Sequence, residues 1–155
     1  MKKLGLLRHA KSDWGPSDKR DFDRGLNARG KRGAALMGAH VREQGVAWDR
    51  LIASPARRVQ LTLESAAIGP APQWDERLYL ASTDAIYQVL HEAGGDAVLI
   101  AGHNPGLGDM ILDLVAPGAQ RLDQALVLVE ADRGHAEPGA PGEFADGEQV
   151  GRFHP

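Results

Sequence analysis

Leu4-Gly5-Leu6-Leu7-Arg8-His9-Ala10-Lys11-Ser12 joins a short apolar run directly to an arginine and a histidine. Two later stretches repeat this arrangement. Leu51-Ile52-Ala53 runs into Ser54-Pro55-Ala56-Arg57-Arg58, and Val98-Leu99-Ile100-Ala101 runs into Gly102-His103-Asn104. If the three apolar runs are neighbouring parallel strands, their polar tips meet at the carboxyl edge of one sheet, which is where ligands bind in open α/β sheets.

Helical patterns separate these strands and set the fold class. Asn27 is a predicted cap of a helix that extends to about Glu43, and Ser82 or Thr83 is a predicted cap of a later helix. Ser54-Pro55 and Asn104-Pro105 both have the form of a capping residue followed by proline at the first helical position. Strands that alternate with helices predict a three-layer α/β/α fold around a mostly parallel sheet.

Three further pieces complete the predicted sheet. We expect a short extended segment from Trp74 to Tyr79, a strand from Ala125 to Val129, and an edge strand near Val150 and Phe153. Residues 132–148 contain four glycines and two prolines, which predicts a flexible loop. The length of 155 residues suits one domain that spans residues 1–155.

Composition restricts the classes of function. The chain has 43% hydrophobic and 25% charged residues and a net charge of −3, so it has no basic footprint for nucleic acid. It has no cysteine, which removes thiol catalysis, disulfides and cysteine metal sites. The apolar run after Met1 is too short for a signal peptide, and no stretch approaches the ~20 apolar residues of a membrane span. We expect a cytoplasmic monomer with no membrane or nucleic-acid partner.

The predicted strand tips carry residues suited to phosphate chemistry. A neutral imidazole such as that of His9 can act as a nucleophile, and the planar guanidinium of Arg8 pairs well with phosphate oxygens. Arg57 and Arg58 lie in the first turn of a predicted helix, where we expect one of them to face the strand tips and the other to face water. His103 could donate a hydrogen bond to a phosphate oxygen.

The ordered set of motifs resembles the histidine phosphatase superfamily, whose members share the phosphoglycerate-mutase-like fold. Leu7-Arg8-His9-Ala10 is similar to its Arg-His-Gly signature, and the stretch from Ser54 to Thr62 resembles its second block. Gly102-His103 resembles the third block. The short length, Arg24-Gly25-Leu26 and Leu78-Tyr79 are similar to the small SixA-like branch of phosphohistidine phosphatases.

This resemblance assigns roles to the site residues. His9 is implied to be the nucleophile, and Arg8, Arg58 and His103 are implied to hold the phosphoryl group. We also expect Ser12 and Arg24 to help bind substrate. No metal or other cofactor is implied.

The sequence departs from the superfamily pattern at two motif positions and at the proton donor. Ala10 replaces a glycine, and Leu61 stands where a glutamine is common. The glutamate that serves larger members as a general acid has no clear counterpart, although Glu76, next to Asp75, is a possible proton donor. A site without a strong acid would favour cleavage of P–N bonds, because an imidazole leaves more easily than an alkoxide.

The sequence therefore predicts a metal-independent phosphatase that hydrolyses phosphohistidine on a signalling or phosphotransfer protein through a phospho-His9 intermediate. Two alternatives stay open. One is a general phosphomonoesterase that acts on a small phosphorylated metabolite with Glu76 or Asp75 as the acid. The other is a non-catalytic module that binds phosphate or phosphohistidine.

Overall fold

The computed structural model describes residues 3–15, 18–115, 124–128 and 151–153. Its strands are β1 (Lys3–Arg8), β2 (Arg50–Ala53), β3 (Gln73–Trp74), β4 (Ala97–Gly102), β5 (Gln124–Leu128) and β6 (Gly151–Phe153). Its helices are α1 (Ala28–Glu43), α2 (Arg57–Ala66), α3 (Thr83–Ala93) and α4 (Gly106–Val115), with two short 3-10 helices at Asp21–Asp23 and Glu76–Leu78.

These strands form one sheet in the order β3-β2-β4-β1-β5-β6. Among the described strands, only β6 runs antiparallel to its neighbour. The predicted neighbours β1, β2 and β4 are therefore confirmed as adjacent and parallel. The loop predicted for residues 132–148 lies outside the described residues, and the single-domain assignment stays a prediction.

Both faces of the sheet are covered, as the unbroken apolar runs of β1 and β4 require. On one face, Leu7 and Leu99 pack against α1 and α2. On the other face, Leu6 and Ile100 pack against α3 and α4. Successive residues of β2 and β4 alternate between the two cores because side chains in a strand point to opposite faces. The chain therefore has the predicted three-layer α/β/α architecture.

The structure corrects three predicted element boundaries. α2 begins at Arg57 and not at Ser54-Pro55, because Ala56 has a non-helical backbone (φ −58°, ψ 138°) and the Ser54 hydroxyl bonds His103. α4 begins at Gly106, one residue after the predicted start, and follows a cis Asn104-Pro105 bond. The predicted extended piece at residues 74–79 is a strand only as far as Trp74 and then forms a 3-10 helix. Caps at Asn27 and Ser82 are confirmed.

Helices α1 and α2 approach closely at a glycine. A Cβ atom added at Gly38 would lie within 2.5 Å of backbone atoms of Ala66. Because the neighbouring atoms belong to backbone, a side chain at residue 38 would force the two helices apart. α2 carries Arg58, so this contact also sets how far that arginine lies from the sheet.

We expect Gly38→Ala to lower the free energy of unfolding by about 1–3 kcal/mol through overpacking. Gly108→Ala is the matched control, because its added Cβ would meet only side-chain atoms at 3.8–3.9 Å inside α4. That control should be neutral or should stabilise the protein by up to about 1 kcal/mol, since alanine favours helix. Urea denaturation measures both values, and equal effects at the two sites would contradict the close approach.

Candidate active site

Strand register brings the three predicted tips together. Arg8 pairs with Gly102 across β1 and β4, and the His9 amide donates to the Gly102 carbonyl at 3.1 Å. On the other side of β4, the Ser54 amide donates to the Ala101 carbonyl at 3.0 Å. The imidazole rings of His9 and His103 consequently lie 5.1 Å apart between their centroids.

His9 presents one ring nitrogen as a nucleophile. Its Nδ1 lies 2.8 Å from the Ala10 carbonyl oxygen. A carbonyl oxygen can only accept, so Nδ1 carries the proton and donates it. Nε2 is therefore the unprotonated nitrogen of the neutral ring, and its lone pair is available to attack phosphorus.

The end of β1 is held in place by α2. The Ala10 amide donates to the Thr62 hydroxyl at 2.9 Å, and that hydroxyl donates to the Arg58 carbonyl at 2.7 Å. The Ala10 methyl group is fully buried against Leu26 and Leu61. This cluster gives a packing reason for alanine in the place of the usual glycine, and for leucine at residue 61.

Arg58 is the arginine of the pair that faces the strand tips, as the sequence predicted. Its side chain is 5% exposed, whereas Arg57 is half-exposed and pairs with Glu64 at 3.6 Å. Arg58 donates to the backbone carbonyl of Asp21 at 2.7 Å and to its carboxylate at 3.0 Å. The 3-10 helix at residues 21–23 therefore orients the guanidinium.

Asp21 and Tyr79 are site residues to which the sequence assigned no specific role, although Leu78-Tyr79 is part of the resemblance to the SixA-like branch. The Tyr79 hydroxyl donates to the Asp21 carboxylate at 2.8 Å, and the Tyr79 ring packs edge-on against His103 with centroids 5.4 Å apart. This hydrogen bond, followed by the charge of Arg58, lowers the pKa of Asp21. Asp21 is thus an ionised partner of Arg58, and no local sequence pattern would have paired residues 21, 58 and 79.

The remaining predicted residues lie outside the group formed by Arg8, His9, Arg58 and His103. Arg24 donates twice to the Asp13 carbonyl and once to Asp21, and it stacks 3.5 Å from the ring centroid of the exposed Trp14. These contacts fix the loop, so a substrate-binding role for Arg24 stays a prediction. Ser12 is buried in an isolated bridge with Leu26, and its predicted role is likewise untested.

The proposed proton donors are poorly placed for that role. Asp75 is held by Arg77 at 2.7 Å, and hydrogen bonds from Arg77 lower its pKa. Glu76 is exposed, and its side chain makes no hydrogen bond or ion pair with any site residue that the structure describes. Neither of the two acids that the sequence proposed is therefore placed to protonate a leaving group.

Two buried nitrogen atoms at the site lack a hydrogen-bond partner. Within the described residues, three buried side-chain polar atoms make no hydrogen bond, and two of them are Arg8 Nε and His103 Nδ1. Buried polar groups without a partner are rare, and each calls for an explanation such as a ligand. Together with Arg58, these nitrogens form a positively charged site suited to an oxyanion.

Burial keeps both histidines neutral. Desolvation, with the positive charges of Arg58 and Arg8, lowers the pKa of His9 to about 4 against the opposing effect of the Ala10 carbonyl. Desolvation and then Arg58 lower the pKa of His103 to about 3. A neutral His9 retains the lone pair that nucleophilic attack requires.

These lowered pKa values predict how stability depends on pH. An unfolded histidine binds a proton near pH 6.5, whereas His9 and His103 in the native state bind theirs only near pH 4 and pH 3. Between these native values and pH 6.5, the unfolded state thus binds more protons than the native state. The free energy of unfolding therefore has its full value above pH 6.5 and falls as the pH drops below it. We expect a slope of up to about 1.4 kcal/mol per pH unit for each histidine.

Urea denaturation of wild type and His103→Asn at several values between pH 7.5 and pH 4.5 measures this slope. The variant should lose less stability over that range, since one of the two titrating histidines is gone. Parallel curves for the two proteins would show that His103 does not contribute.

The described residues lack two features that would point to other functions. None of the described helices is long and apolar enough to cross a membrane. In the same part of the chain, no group of three or more histidine, aspartate or glutamate side chains is arranged to hold a metal ion.

Comparison with curated proteins and solved structures places these motifs in a family. An uncharacterized protein of Mycobacterium tuberculosis (strain H37Rv) is 35% identical over 101 residues, which cover 64% of this chain and 63% of that protein. An uncharacterized protein of Mycobacterium leprae is 32% identical over 72% of this chain and 73% of its own length. The chain thus spans less than two-thirds of the M. tuberculosis relative.

Solved structures of SixA proteins share the fold. The SixA protein of Agrobacterium tumefaciens is 27% identical with a TM-score of 0.67, over 72% of this chain and 74% of that chain. The SixA protein of Nakamurella multipartitia is 32% identical with a TM-score of 0.64, over 71% and 64%.

The model of the histidine phosphatase superfamily, branch 1, matches residues 4–79, which include the first two motifs, while His103 lies beyond the match. The chain belongs to the histidine phosphatase superfamily, in its SixA-like branch.

Proposed function

We propose that this protein is a phosphatase that removes the phosphoryl group from phosphohistidine on a protein through a phospho-His9 intermediate. The observation that carries the proposal is the pair of unpartnered buried nitrogen atoms, Arg8 Nε and His103 Nδ1, in the same site as the unprotonated Nε2 of His9. A bound phosphoryl group would supply acceptors for both donors and place phosphorus next to the nucleophile.

In the first step, the lone pair of His9 Nε2 forms a bond to phosphorus while the bond from phosphorus to the leaving group breaks. Arg8, Arg58 and His103 offset the negative charge on the non-bridging oxygens, and such preorganised donors are a large part of catalysis. The proton on Nδ1 stays in its hydrogen bond to the Ala10 carbonyl. The phosphorylated ring therefore carries a positive charge.

In the second step, water attacks phosphorus, the bond to Nε2 breaks, and inorganic phosphate leaves as H2PO4−, with both protons of the water. Because Nδ1 has kept its proton, the ring departs as a neutral imidazole and needs no further proton donor. The Ala10 carbonyl supports this by fixing the tautomer. His9, water and the substrate supply every proton and electron pair that the two steps use. The proposed reaction therefore needs no metal ion.

The nature of the leaving group supports phosphohistidine as the substrate. An alkoxide needs a proton as it leaves, and three described groups at the site are poorly suited to supply one, because both histidines are neutral and Asp21 is ionised. A phosphohistidine ring can carry a proton on its own second nitrogen near neutral pH, since histidine titrates there. It would then leave as neutral imidazole without help from the protein.

The relatives agree with this substrate class. The SixA proteins of A. tumefaciens and N. multipartitia carry phosphohistidine phosphatase in their names. A partner in signalling or phosphotransfer, a cytoplasmic location and a monomeric state stay predictions. The alternative of a metabolite phosphatase is less well supported, because Asp75 is bound by Arg77 and the Glu76 side chain makes no hydrogen bond or ion pair with the described site residues.

A series of substrates with different leaving groups tests the proposal. A phosphohistidine protein, p-nitrophenyl phosphate and an alkyl phosphate such as glycerol 2-phosphate should be hydrolysed in that order of kcat/KM, in the presence of EDTA. Equal rates for the alkyl phosphate and the phosphohistidine protein would contradict the substrate assignment. Loss of all activity in EDTA would contradict the metal-free scheme.

Replacement of the nucleophile tests the intermediate. His9→Ala should reduce kcat/KM at least about 1,000-fold for every substrate, as expected when a covalent nucleophile is removed. His91→Ala removes an exposed histidine near the end of α3 and serves as the matched control. Turnover that survives in His9→Ala would rule out phospho-His9, and binding of phosphate without turnover in wild type would favour a non-catalytic module.

A further inference from the structure

We propose that Ser54 is a positioning residue that fixes the proton of His103 on Nδ1, so that the ring offers a hydrogen-bond donor to the phosphoryl group. The inference deepens the proposed function and rests on it for the identity of the bound group. The protonation of the ring, in contrast, is a property of the free protein and can be measured without any substrate.

Backbone pairing sets the distance between the two side chains. Ser54 follows directly on β2, and its amide donates to the Ala101 carbonyl on β4 at 3.0 Å, two residues before His103. The Ser54 hydroxyl oxygen consequently lies 2.8 Å from His103 Nε2. Ser54 is 0% exposed and His103 is 3% exposed, so water does not compete for this hydrogen bond.

The surroundings of Ser54 indicate the direction of the hydrogen bond. Its oxygen accepts from the Ala56 amide at 3.4 Å, and among the described residues no acceptor other than His103 Nε2 lies within reach of the hydroxyl proton. If Nε2 donated instead, the buried hydroxyl proton would have no partner, which is unfavourable. The hydroxyl therefore donates, and Nε2 accepts.

The direction of this bond decides which group His103 presents. A neutral imidazole carries a single proton, so acceptance at Nε2 places that proton on Nδ1. Nδ1 is buried and has no partner within the described part of the chain. In this tautomer it is an N–H group that attracts a phosphate oxygen, whereas in the other tautomer its lone pair would repel one.

The same hydroxyl explains the unusual start of α2. Ser54 was predicted to cap that helix, yet α2 begins at Arg57 after Ala56, which makes no side-chain capping bond. A serine in capping geometry would direct its hydroxyl oxygen to the helix amides. Here the hydroxyl instead bonds His103 Nε2, and α2 begins two residues later than predicted, with Arg57 and Arg58 in its first turn.

Nitrogen-15 NMR of histidine-labelled protein measures the tautomer directly, with His103→Gln used to assign the signals. At neutral pH and without ligand, we expect a protonated Nδ1 and an unprotonated Nε2 for His103. In Ser54→Ala the partner that selects this form is gone, so the signals should shift toward a mixture of both tautomers. A wild-type ring protonated on Nε2, or a pure Nδ1–H form in Ser54→Ala, would overturn the proposal.

Kinetics with p-nitrophenyl phosphate adds the functional consequence. Ser54→Ala should lower kcat/KM about 10- to 100-fold, somewhat less than complete removal of one oxyanion donor. Ser82→Ala is the matched control, because its hydroxyl caps α3 and has no contact with the site. That variant should lose thermal stability but keep the wild-type spectrum and rate, whereas an unchanged rate in Ser54→Ala would overturn the functional role.

A third pair of variants separates the two ring nitrogens. The amide nitrogen of asparagine can take the place of Nδ1, while that of glutamine can take the place of Nε2. His103→Asn should therefore retain more kcat/KM than His103→Gln, and the reverse order would overturn donation from Nδ1. If the protein hydrolyses no phosphate substrate at all, the proposed function fails while the tautomer experiment still decides the role of Ser54.

Discussion

The parallel pairing of β4 with β1 on one side and β2 on the other is the constraint on which the site depends. It sets Arg8 opposite Gly102 and holds Ser54 beside the same strand, so three separate stretches of sequence end at one edge. Backbone hydrogen bonds in the sheet fix these positions, and no side-chain contact is needed for this placement. A shift of register by one residue would turn the side chains to the other face and disperse the site.

Burial at this edge gives the site its chemistry. Taking His9 and His103 out of water beside two arginines lowers both pKa values and keeps the rings neutral. This arrangement lowers the free energy of unfolding at acid pH, because the histidines bind protons in the unfolded chain but stay neutral in the native protein. In return, the protein holds an uncharged nucleophile among positive charges that a phosphoryl group can neutralise. Asp21 and Tyr79 keep Arg58 oriented within this group.

The parts of the site that the sequence predicted are those encoded by local patterns. Apolar runs that lead into Arg8, Ser54 and His103 identify strand tips, and the Ser54-Pro55 pair indicates a helix that carries Arg58 in its first turn. The roles of Asp21 and Tyr79 depend on contacts across 37 and 58 residues, which no local pattern contains. Ser54 was misread as a helix cap for the same reason, since a distant histidine determines the direction of its hydroxyl.

Detection of the covalent intermediate is the decisive test of a phospho-His9 mechanism. Rapid mixing with a phosphohistidine protein or p-nitrophenyl phosphate, an alkaline quench and peptide mapping would locate any phosphoryl group on the enzyme. Alkali preserves phosphohistidine but acid destroys it, so a parallel acid quench is the control. We expect one alkali-stable, acid-labile phosphoryl group on His9 that forms and decays at the rate of turnover. Phosphorylation at another residue, or turnover with no phosphoenzyme, would contradict it.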